Sequence, residues 1–203
     1  MLFLCYNLIG GSMKKFLNIL FMFFEVVALA WTMGQFMLES FIYYTILSNL
    51  FALIVGIIYF YYSYQKRIPK IFSILRLSSV LSLAVTFLVS LFILLPSFNF
   101  DFKRMYGGMN LFLHFVCPVM LFIIYLIYDK RVKLTKKDII IANALTFVYG
   151  AVMVPLNILK VVEGPYPFLM VYKQSLLMTI IWLIVIVGGT TLLAFSLYKI
   201  KKK

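Results

Sequence analysis

The chain has 203 residues, of which 65% are hydrophobic and 12% are charged, and its mean hydropathy is +1.06. A soluble domain is about half apolar and about a quarter charged, so this composition excludes a soluble globular domain and predicts a multi-pass membrane protein. The formal net charge is +13, but the Lys and Arg residues cluster in short loops between apolar runs, which is typical of topology determinants and of contacts with anionic lipid head groups, not of a nucleic-acid-binding face.

Six apolar runs of about 20 residues each predict an all-α fold with six transmembrane helices. The predicted spans cover about residues 16–37, 40–62, 71–95, 109–128, 139–155 and 175–198, within a single transmembrane domain of residues 1–203. Met13-Lys14-Lys15 would be an ordinary start for a membrane protein, so residues 1–12 are interpreted as an extension whose translation the sequence leaves open. A signal peptide ending near Ala28-Leu29-Ala30 is the alternative, but Glu25 would interrupt its apolar region.

The distribution of basic residues predicts the orientation of the helices. The N-terminal segment, the 63–70 loop, the 129–138 loop and the tail after residue 198 together carry fourteen Lys and Arg residues. The loops at the opposite ends of the spans carry four. Because the side richer in Lys and Arg faces the cytoplasm, both termini are predicted to be cytoplasmic. The basic loops are then expected to contact anionic phospholipid head groups in a cell membrane.

One acidic and one basic residue lie inside the predicted spans, Glu25 and Arg76. Glu25 falls near the middle of the first span, where a charge costs on the order of 3 kcal/mol, so it is expected to face the bundle, either in a functional role or paired with a Ser, an Asn or Arg76. Arg76 lies about five residues inside the third span and is expected to extend to the nearer membrane surface. Pro96 is predicted to end that span. A narrow stripe of small polar residues is suited to close helix packing: Ser79, Ser82, Thr86 and Ser90.

A candidate functional site is indicated by polar residues at helical spacing in the second span. Thr45, Ser48 and Asn49 share one helix face, and His114, the only histidine, lies in the fourth span. Thr45 and His114 are each about five residues from the outer end of their span, so both are predicted to lie roughly 7–8 Å below the outer surface. Equal depth on neighbouring helices would permit a contact between the hydroxyl and the imidazole.

Such a pair could perform nucleophilic catalysis on an ester. The imidazole of His114 would act as general base for the Thr45 hydroxyl and give an acyl-threonine. Ser48, Asn49 or Asn110 would orient the imidazole or donate to the oxyanion. Two alternatives stay open: a threonine that packs between helices or bonds its own helix, and Cys117 as the nucleophile. Neither the two cysteines nor the single histidine gives a metal-binding or disulfide pattern, so no metal or cofactor is expected.

Three short motifs carry a resemblance to a known family. They are Tyr44-Thr45 followed by Ser48-Asn49, Leu113-His114 followed by Pro118, and Pro165-Tyr166-Pro167-Phe168. In order and spacing, over about residues 16–198, the chain resembles the androgen-induced-gene family and its bacterial membrane-protein relatives. Gly164 departs from the pattern, since the relatives carry another aromatic residue there, and no acid closely follows Phe168.

The resemblance implies a six-span threonine hydrolase, because characterised animal members cleave fatty acid esters of hydroxy fatty acids. It implies that Thr45 is the nucleophile, that His114 is the general base and that Tyr166 supports the site or binds substrate. The amino-acid usage, rich in Lys, Ile, Phe and Asn, favours a bacterial source. Two other functions remain open: a non-enzymatic lipid-binding protein or small permease, and an acyltransferase that uses the same pair.

Overall fold

The apolar runs fold into helices, and every secondary-structure element of the described residues is helical. The computed structural model describes residues 2–63, 68–129 and 134–202. The α-helices are α1 (Leu2–Phe36), α2 (Tyr44–Ser63), α3 (Lys70–Val89), α4 (Phe102–Tyr106), α5 (Cys117–Tyr128), α6 (Lys136–Ala142), α7 (Ala144–Ile158) and α8 (Leu176–Lys202). The loop of residues 159–175 contains two short 3-10 turns, Pro167–Leu169 and Val171–Lys173.

Several helices can cross a membrane by length and composition. Four do so alone, namely Gly11–Phe36, Tyr44–Tyr62, Lys70–Ser97 and Leu176–Lys201. Helices α6 and α7 make a fifth candidate if the pair, bent by 45°, is counted as one span, and Phe112–Tyr128 is a shorter apolar helix. The described residues therefore form a multi-pass membrane protein with four or five such helices. Helix α3 is at the centre of the bundle, because 67% of the apolar stretch in the segment Lys70–Ser97 is buried. Helix α8 is at the periphery, with 11% of its apolar stretch buried.

Helix α2 begins later than the sequence predicted. A 3-10 helix, Met37–Ile42, occupies the expected first turn, and Tyr43 is extended with φ −87° and ψ 126°. The carbonyl of Tyr43 then accepts hydrogen bonds from the N–H groups of Ile46 and Leu47 in the first turn of α2. The predicted start at residue 40 is therefore wrong by about one turn, and Thr45 lies in the first turn of the helix.

Prolines and an asparagine alter three other predicted spans. The third span does not end before Pro96, because α3 continues through a π-helical turn, Ser90–Leu94, and a last turn, Leu95–Ser97. A second π-helical turn, Phe112–Val116, precedes α5. The fifth span is bent at Asn143, whose side-chain amide donates to the carbonyl of Ile139 at 3.0 Å. Such a side-chain bond competes with the regular backbone ladder and often accompanies a bend.

A buried ionic cluster joins α1, α3 and the end of α5. Arg76 is 1% exposed, and its Nε donates to the Asp129 carboxylate at 2.8 Å while Nη2 donates to Asn18 at 3.0 Å. Lys14 pairs with the other Asp129 oxygen at 3.1 Å, and the Arg76 guanidinium stacks over the Tyr59 ring. Arg76 thus reaches the end of α5, where the Asp129 carboxylate holds it away from solvent.

Glu25 has none of the partners that the sequence suggested. It is fully buried, and neither carboxyl oxygen accepts a hydrogen bond from a described residue. Its carboxyl group lies beside the Cys117 thiol, whereas Arg76 belongs to the ionic cluster. Part of the basic surface predicted to contact lipid head groups lies outside the described residues: Lys66, Arg67, Lys130, Arg131, Lys133 and Lys203.

Candidate functional site

The site is centred on the Thr45 hydroxyl in the first turn of α2. The first N–H groups of a helix have no partner within that helix, and Thr45 N–H therefore donates outward, to the Tyr166 hydroxyl at 3.2 Å. The Thr45 side chain is 7% exposed. Its Oγ1 lies 3.2 Å from Nε2 of His114 and 3.4 Å from the Tyr166 hydroxyl. The Thr45 side chain thus bonds across the bundle, and not within its own helix.

The hydrogen bonds of His114 determine which ring nitrogen carries the proton. Nδ1 lies 3.1 Å from the backbone carbonyl of Asn110, which can only accept. The proton of the neutral imidazole is therefore on Nδ1, and Nε2 presents a lone pair to Thr45. Asn110 orients the ring, as the sequence suggested, but it does so through its carbonyl oxygen and not through its side-chain amide.

The π-helical turn at His114 has a cause in the sequence. Pro118 has no N–H to donate to the carbonyl four residues earlier, and its ring crowds that carbonyl, which belongs to His114. The N–H of Cys117 bonds to the carbonyl of Phe112, five residues back. Single π turns are frequent at functional sites because they rotate side chains away from the regular helical positions.

Tyr166 reaches the site from the 159–175 loop, and its ring is 5% exposed. The ring stacks on Phe168 with centroids 5.3 Å apart, and Phe168 in turn contacts Trp182 of α8. Burial raises the pKa of the Tyr166 phenol, so the hydroxyl keeps its proton. This hydroxyl accepts the Thr45 N–H and has its own proton available for donation towards Thr45 Oγ1.

Two residues hold the 159–175 loop in place. The fully buried Asn157 donates to the carbonyl of Val162 at 3.1 Å and accepts the N–H of Val171 at 2.8 Å. A Cβ atom at Gly164 would lie 2.6 Å from the carbonyl of Leu169, so the loop closes only with glycine at this position. At the surface, Glu163 and Lys173 form an ion pair, which lowers the pKa of Glu163 and raises that of Lys173.

Ser48 and Asn49 support the backbone of Thr45. Both donate to the Thr45 carbonyl, Ser48 at 3.0 Å and Asn49 at 2.7 Å. Asn49 also donates to the carbonyl of Leu113 at 3.2 Å, and Ser48 contacts the Thr86 hydroxyl at 2.8 Å. Asn49 therefore ties the Thr45 helix to the residue that precedes His114, and neither side chain orients the imidazole.

A cavity adjoins Thr45, and His114 is not among the described residues that line it. It contains about 730 Å³ of space free of protein atoms, part of it open to the outside. Helices α2, α3, α7 and α8 and the 159–175 loop form its walls, with Thr45, Thr86, Gly150, Tyr166 and Trp182 among the lining residues. Because the 730 Å³ includes space open to the outside, it is larger than the enclosed volume of the cavity.

The hydroxyl groups of this cavity already have partners inside the protein. Tyr44 bonds to Thr146 at 2.8 Å, and Tyr149 donates to the carbonyl of Ile42 at 2.7 Å. Thr179 donates to the carbonyl of Ser175, the residue that precedes α8. No charged side chain is among the described residues that line the cavity. The walls therefore offer mainly apolar surface to a ligand. The polar groups of the candidate site that border the cavity are the hydroxyls of Thr45 and Tyr166.

Sequence reasoning named Thr45, His114, Ser48, Asn49, Asn110 and Tyr166, and the structure brings all six into one cluster. It missed the Tyr44–Thr146 bond, which fixes α7 beside the site. The two residues are 102 positions apart, and no pattern in the sequence pairs them. Cys117 lies one turn from His114, is fully buried and has the Glu25 carboxyl as neighbour, so it does not face the cavity.

The arrangement suits activation of a hydroxyl: an imidazole lone pair on one side, a phenolic donor on the other and an apolar cavity beside them. Among the described residues, no three His, Cys, Asp or Glu side chains gather closely enough to hold a metal ion. Comparison with protein-family models, with curated proteins and with solved structures finds no match to this chain.

Proposed function

We propose that the protein is an intramembrane hydrolase of fatty-acid esters, with Thr45 as nucleophile and His114 as general base. The observation that carries the proposal is the 3.2 Å contact between Thr45 Oγ1 and His114 Nε2. The Asn110 carbonyl on Nδ1 leaves Nε2 free to accept a proton. Distances of 2.6–3.2 Å between a base and the proton donor are about those that proton transfer requires.

In the acylation step, His114 Nε2 takes the proton of the Thr45 hydroxyl while Oγ1 attacks the ester carbonyl carbon. A new C–O bond forms, and the carbonyl electron pair moves onto the carbonyl oxygen. The Tyr166 hydroxyl is the proposed donor to this oxyanion, because its oxygen accepts the Thr45 N–H and lies 3.4 Å from Thr45 Oγ1, which leaves its own proton available for donation. The bond to the leaving oxygen then breaks, and the imidazolium protonates the departing alcohol.

Deacylation repeats the sequence with water. His114 Nε2 takes a proton from water, and the water oxygen attacks the acyl carbon of the acyl-Thr45. Collapse of the second oxyanion releases the fatty acid and returns the proton to Thr45 Oγ1. An acyltransferase would use the same residues with an alcohol in place of water. No metal or cofactor takes part in the proposed reaction.

The six-span arrangement belongs to the same proposal. Counting α6 with α7 as one bent span and Phe112–Tyr128 as a short one gives six crossings. The distribution of Lys and Arg then orients both termini towards the cytoplasm and places Thr45 and the 159–175 loop near the outer surface. An ester substrate would enter from the outer leaflet of a cell membrane, bacterial on the basis of the sequence, and anionic head groups would contact the cytoplasmic basic loops.

A small permease receives less support than the hydrolase. A transport path needs polar groups that face a continuous opening, but the polar stripe of α3 bonds to its own helix. Ser79, Ser82 and Ser90 each donate to the carbonyl three residues earlier. A non-enzymatic lipid-binding protein would share the apolar cavity but would not require the Thr45–His114 contact. A test for the reactivity of the Thr45 hydroxyl therefore distinguishes such a protein from the hydrolase.

The test is covalent labelling by an alkyl fluorophosphonate in detergent-solubilised membranes. Wild type and Thr45→Ser are expected to be labelled, whereas Thr45→Ala and His114→Ala are not. Thr179→Ala is the matched control, since it removes a cavity hydroxyl whose hydrogen bonds are to Ser175 and Gln174, and not to Thr45 or His114. Hydrolysis of a fatty acyl p-nitrophenyl ester is expected to follow the labelling. Persistent labelling of both alanine variants at equal expression would refute the proposal.

A further inference from the structure

The cavity wall formed by α7 has a gap in its middle. Thr146, Gly150 and Val154 line the cavity at positions i, i+4 and i+8, so they form one column on the helix. At 1.5 Å per residue this column is about 12 Å long. Thr146 is held by Tyr44 at one end, and Val154 forms the other end. Only the central residue has no side chain.

Gly150 is not required by the backbone. A Cβ atom built at Gly150 meets no other atom within 4 Å, and the helix has no left-handed residue there. Gly164 is the contrasting case, because a Cβ atom there would collide with Leu169. Glycine is less favourable than alanine inside a helix, so Gly150 lowers the stability of α7. What it contributes in return is empty space beside the cavity.

The chemistry of the walls indicates what occupies that space. The cavity hydroxyls of Tyr44, Tyr149 and Thr179 are bonded inside the protein, and no charged group lies among the described lining residues. An occupant therefore gains mainly by burying apolar surface, as an alkyl chain does. Thr45 and the α7 column line the same cavity, so a chain whose carbonyl carbon lies at Thr45 can pass along that column.

We propose that Gly150 determines the length of acyl chain that this cavity accepts. This inference rests on the proposed hydrolase function, and it names the acyl part of the ester as the cavity's occupant. A larger side chain at position 150 would fill the space of several methylene groups halfway along the column. Long acyl chains would then be excluded, while short ones would still reach Thr45.

The test compares Gly150→Ala and Gly150→Leu with wild type, using p-nitrophenyl esters of four, eight, twelve and sixteen carbons. Each methylene group kept out of the cavity is expected to lower kcat/KM about fourfold. Gly150→Leu should therefore shift the preferred chain length downwards and reduce the ratio of twelve-carbon to four-carbon kcat/KM by tenfold or more, with Gly150→Ala intermediate. Gly188→Leu is the matched control, since Gly188 is exposed, lies on the opposite face of α8 from the lining residues and also has no neighbour within 4 Å.

An unchanged chain-length profile in Gly150→Leu, or the same shift in Gly188→Leu, would overturn the inference. Failure of the hydrolase proposal would look different, because wild type would then show no Thr45-dependent hydrolysis of any ester. In that case saturation binding of fluorescent fatty acids of the same lengths replaces the rate measurement. A selective loss of long-chain binding in Gly150→Leu would support the assignment of the cavity, and equal binding would refute it.

Discussion

Substitution of Tyr166 by phenylalanine separates the catalytic role of this residue from its structural one. The ring, its stacking on Phe168 and the cavity wall remain, and only the hydroxyl is lost. Removal of one donor to an oxyanion lowers kcat by about a hundredfold to a thousandfold in enzymes that depend on such a donor. The hydroxyl is also the acceptor for the Thr45 N–H, and an unsatisfied buried N–H costs about 1–3 kcal/mol of stability.

Tyr149→Phe is the matched control for this experiment. It removes another cavity hydroxyl, one that donates to the carbonyl of Ile42 and is not among the hydrogen-bond partners of Thr45 Oγ1. Both variants should show a lower thermal unfolding midpoint in detergent. Only Tyr166→Phe should show the fall in kcat for p-nitrophenyl ester hydrolysis, with KM nearly unchanged because the apolar walls are intact. A kcat within threefold of wild type, or equal losses in the two variants, would refute the assignment of Tyr166 as the oxyanion donor.

Three further predictions concern the loop, the ionic cluster and pH. Gly164→Ala should lower both kcat and the unfolding midpoint, because the added Cβ would lie 2.6 Å from the Leu169 carbonyl and displace the loop that carries Tyr166. Normal kcat together with normal stability would contradict this prediction. Asp129→Asn should destabilise the protein by about 3 kcal/mol or more, measured by thermal or denaturant unfolding, because Arg76 stays buried without its counter-charge. Asp101→Asn, at an exposed helix N-terminus, serves as its near-neutral control. Ester hydrolysis should fall as the pH is lowered and His114 Nε2 takes a proton, and a rate that rises on acidification would exclude His114 as the base.

The apolar segments and the principal contact of the site were predictable from the sequence for physical reasons. Runs of about 20 apolar residues have few alternatives to a membrane helix, and charge counting predicts on which side of the membrane each run begins. Helix direction and depth then brought Thr45 and His114 to the same level, although α2 begins a turn later than expected. Local spacing also placed Ser48 and Asn49 beside Thr45, on the same face of the helix.

The partners of Arg76 and Tyr44 were not predictable because they are distant in the sequence. Arg76 bonds to Asp129 across 53 positions, and Tyr44 bonds to Thr146 across 102. Asp129 was interpreted as part of a basic loop, and the sequence contains no sign that α5 ends inside the ionic cluster. The role of the Asn110 carbonyl was also hidden, because a backbone carbonyl is the same for every residue type.

The strongest remaining test concerns the irregular turn at His114. If Pro118 causes the π-helical turn Phe112–Val116, then Pro118→Ala removes the crowding of the His114 carbonyl and restores an N–H that can bond to it. Stability should stay equal or rise, whereas kcat should fall tenfold or more, because an angstrom of displacement between imidazole and hydroxyl is enough to cost about a hundredfold. Pro155→Ala is the control, since Pro155 is also inside a helix but on α7, away from the imidazole. If Pro118→Ala alone keeps or gains stability and loses activity, then Pro118 makes the helix irregular and thereby directs Nε2 at Thr45. An unchanged kcat in Pro118→Ala would show that the π-helical turn has another cause.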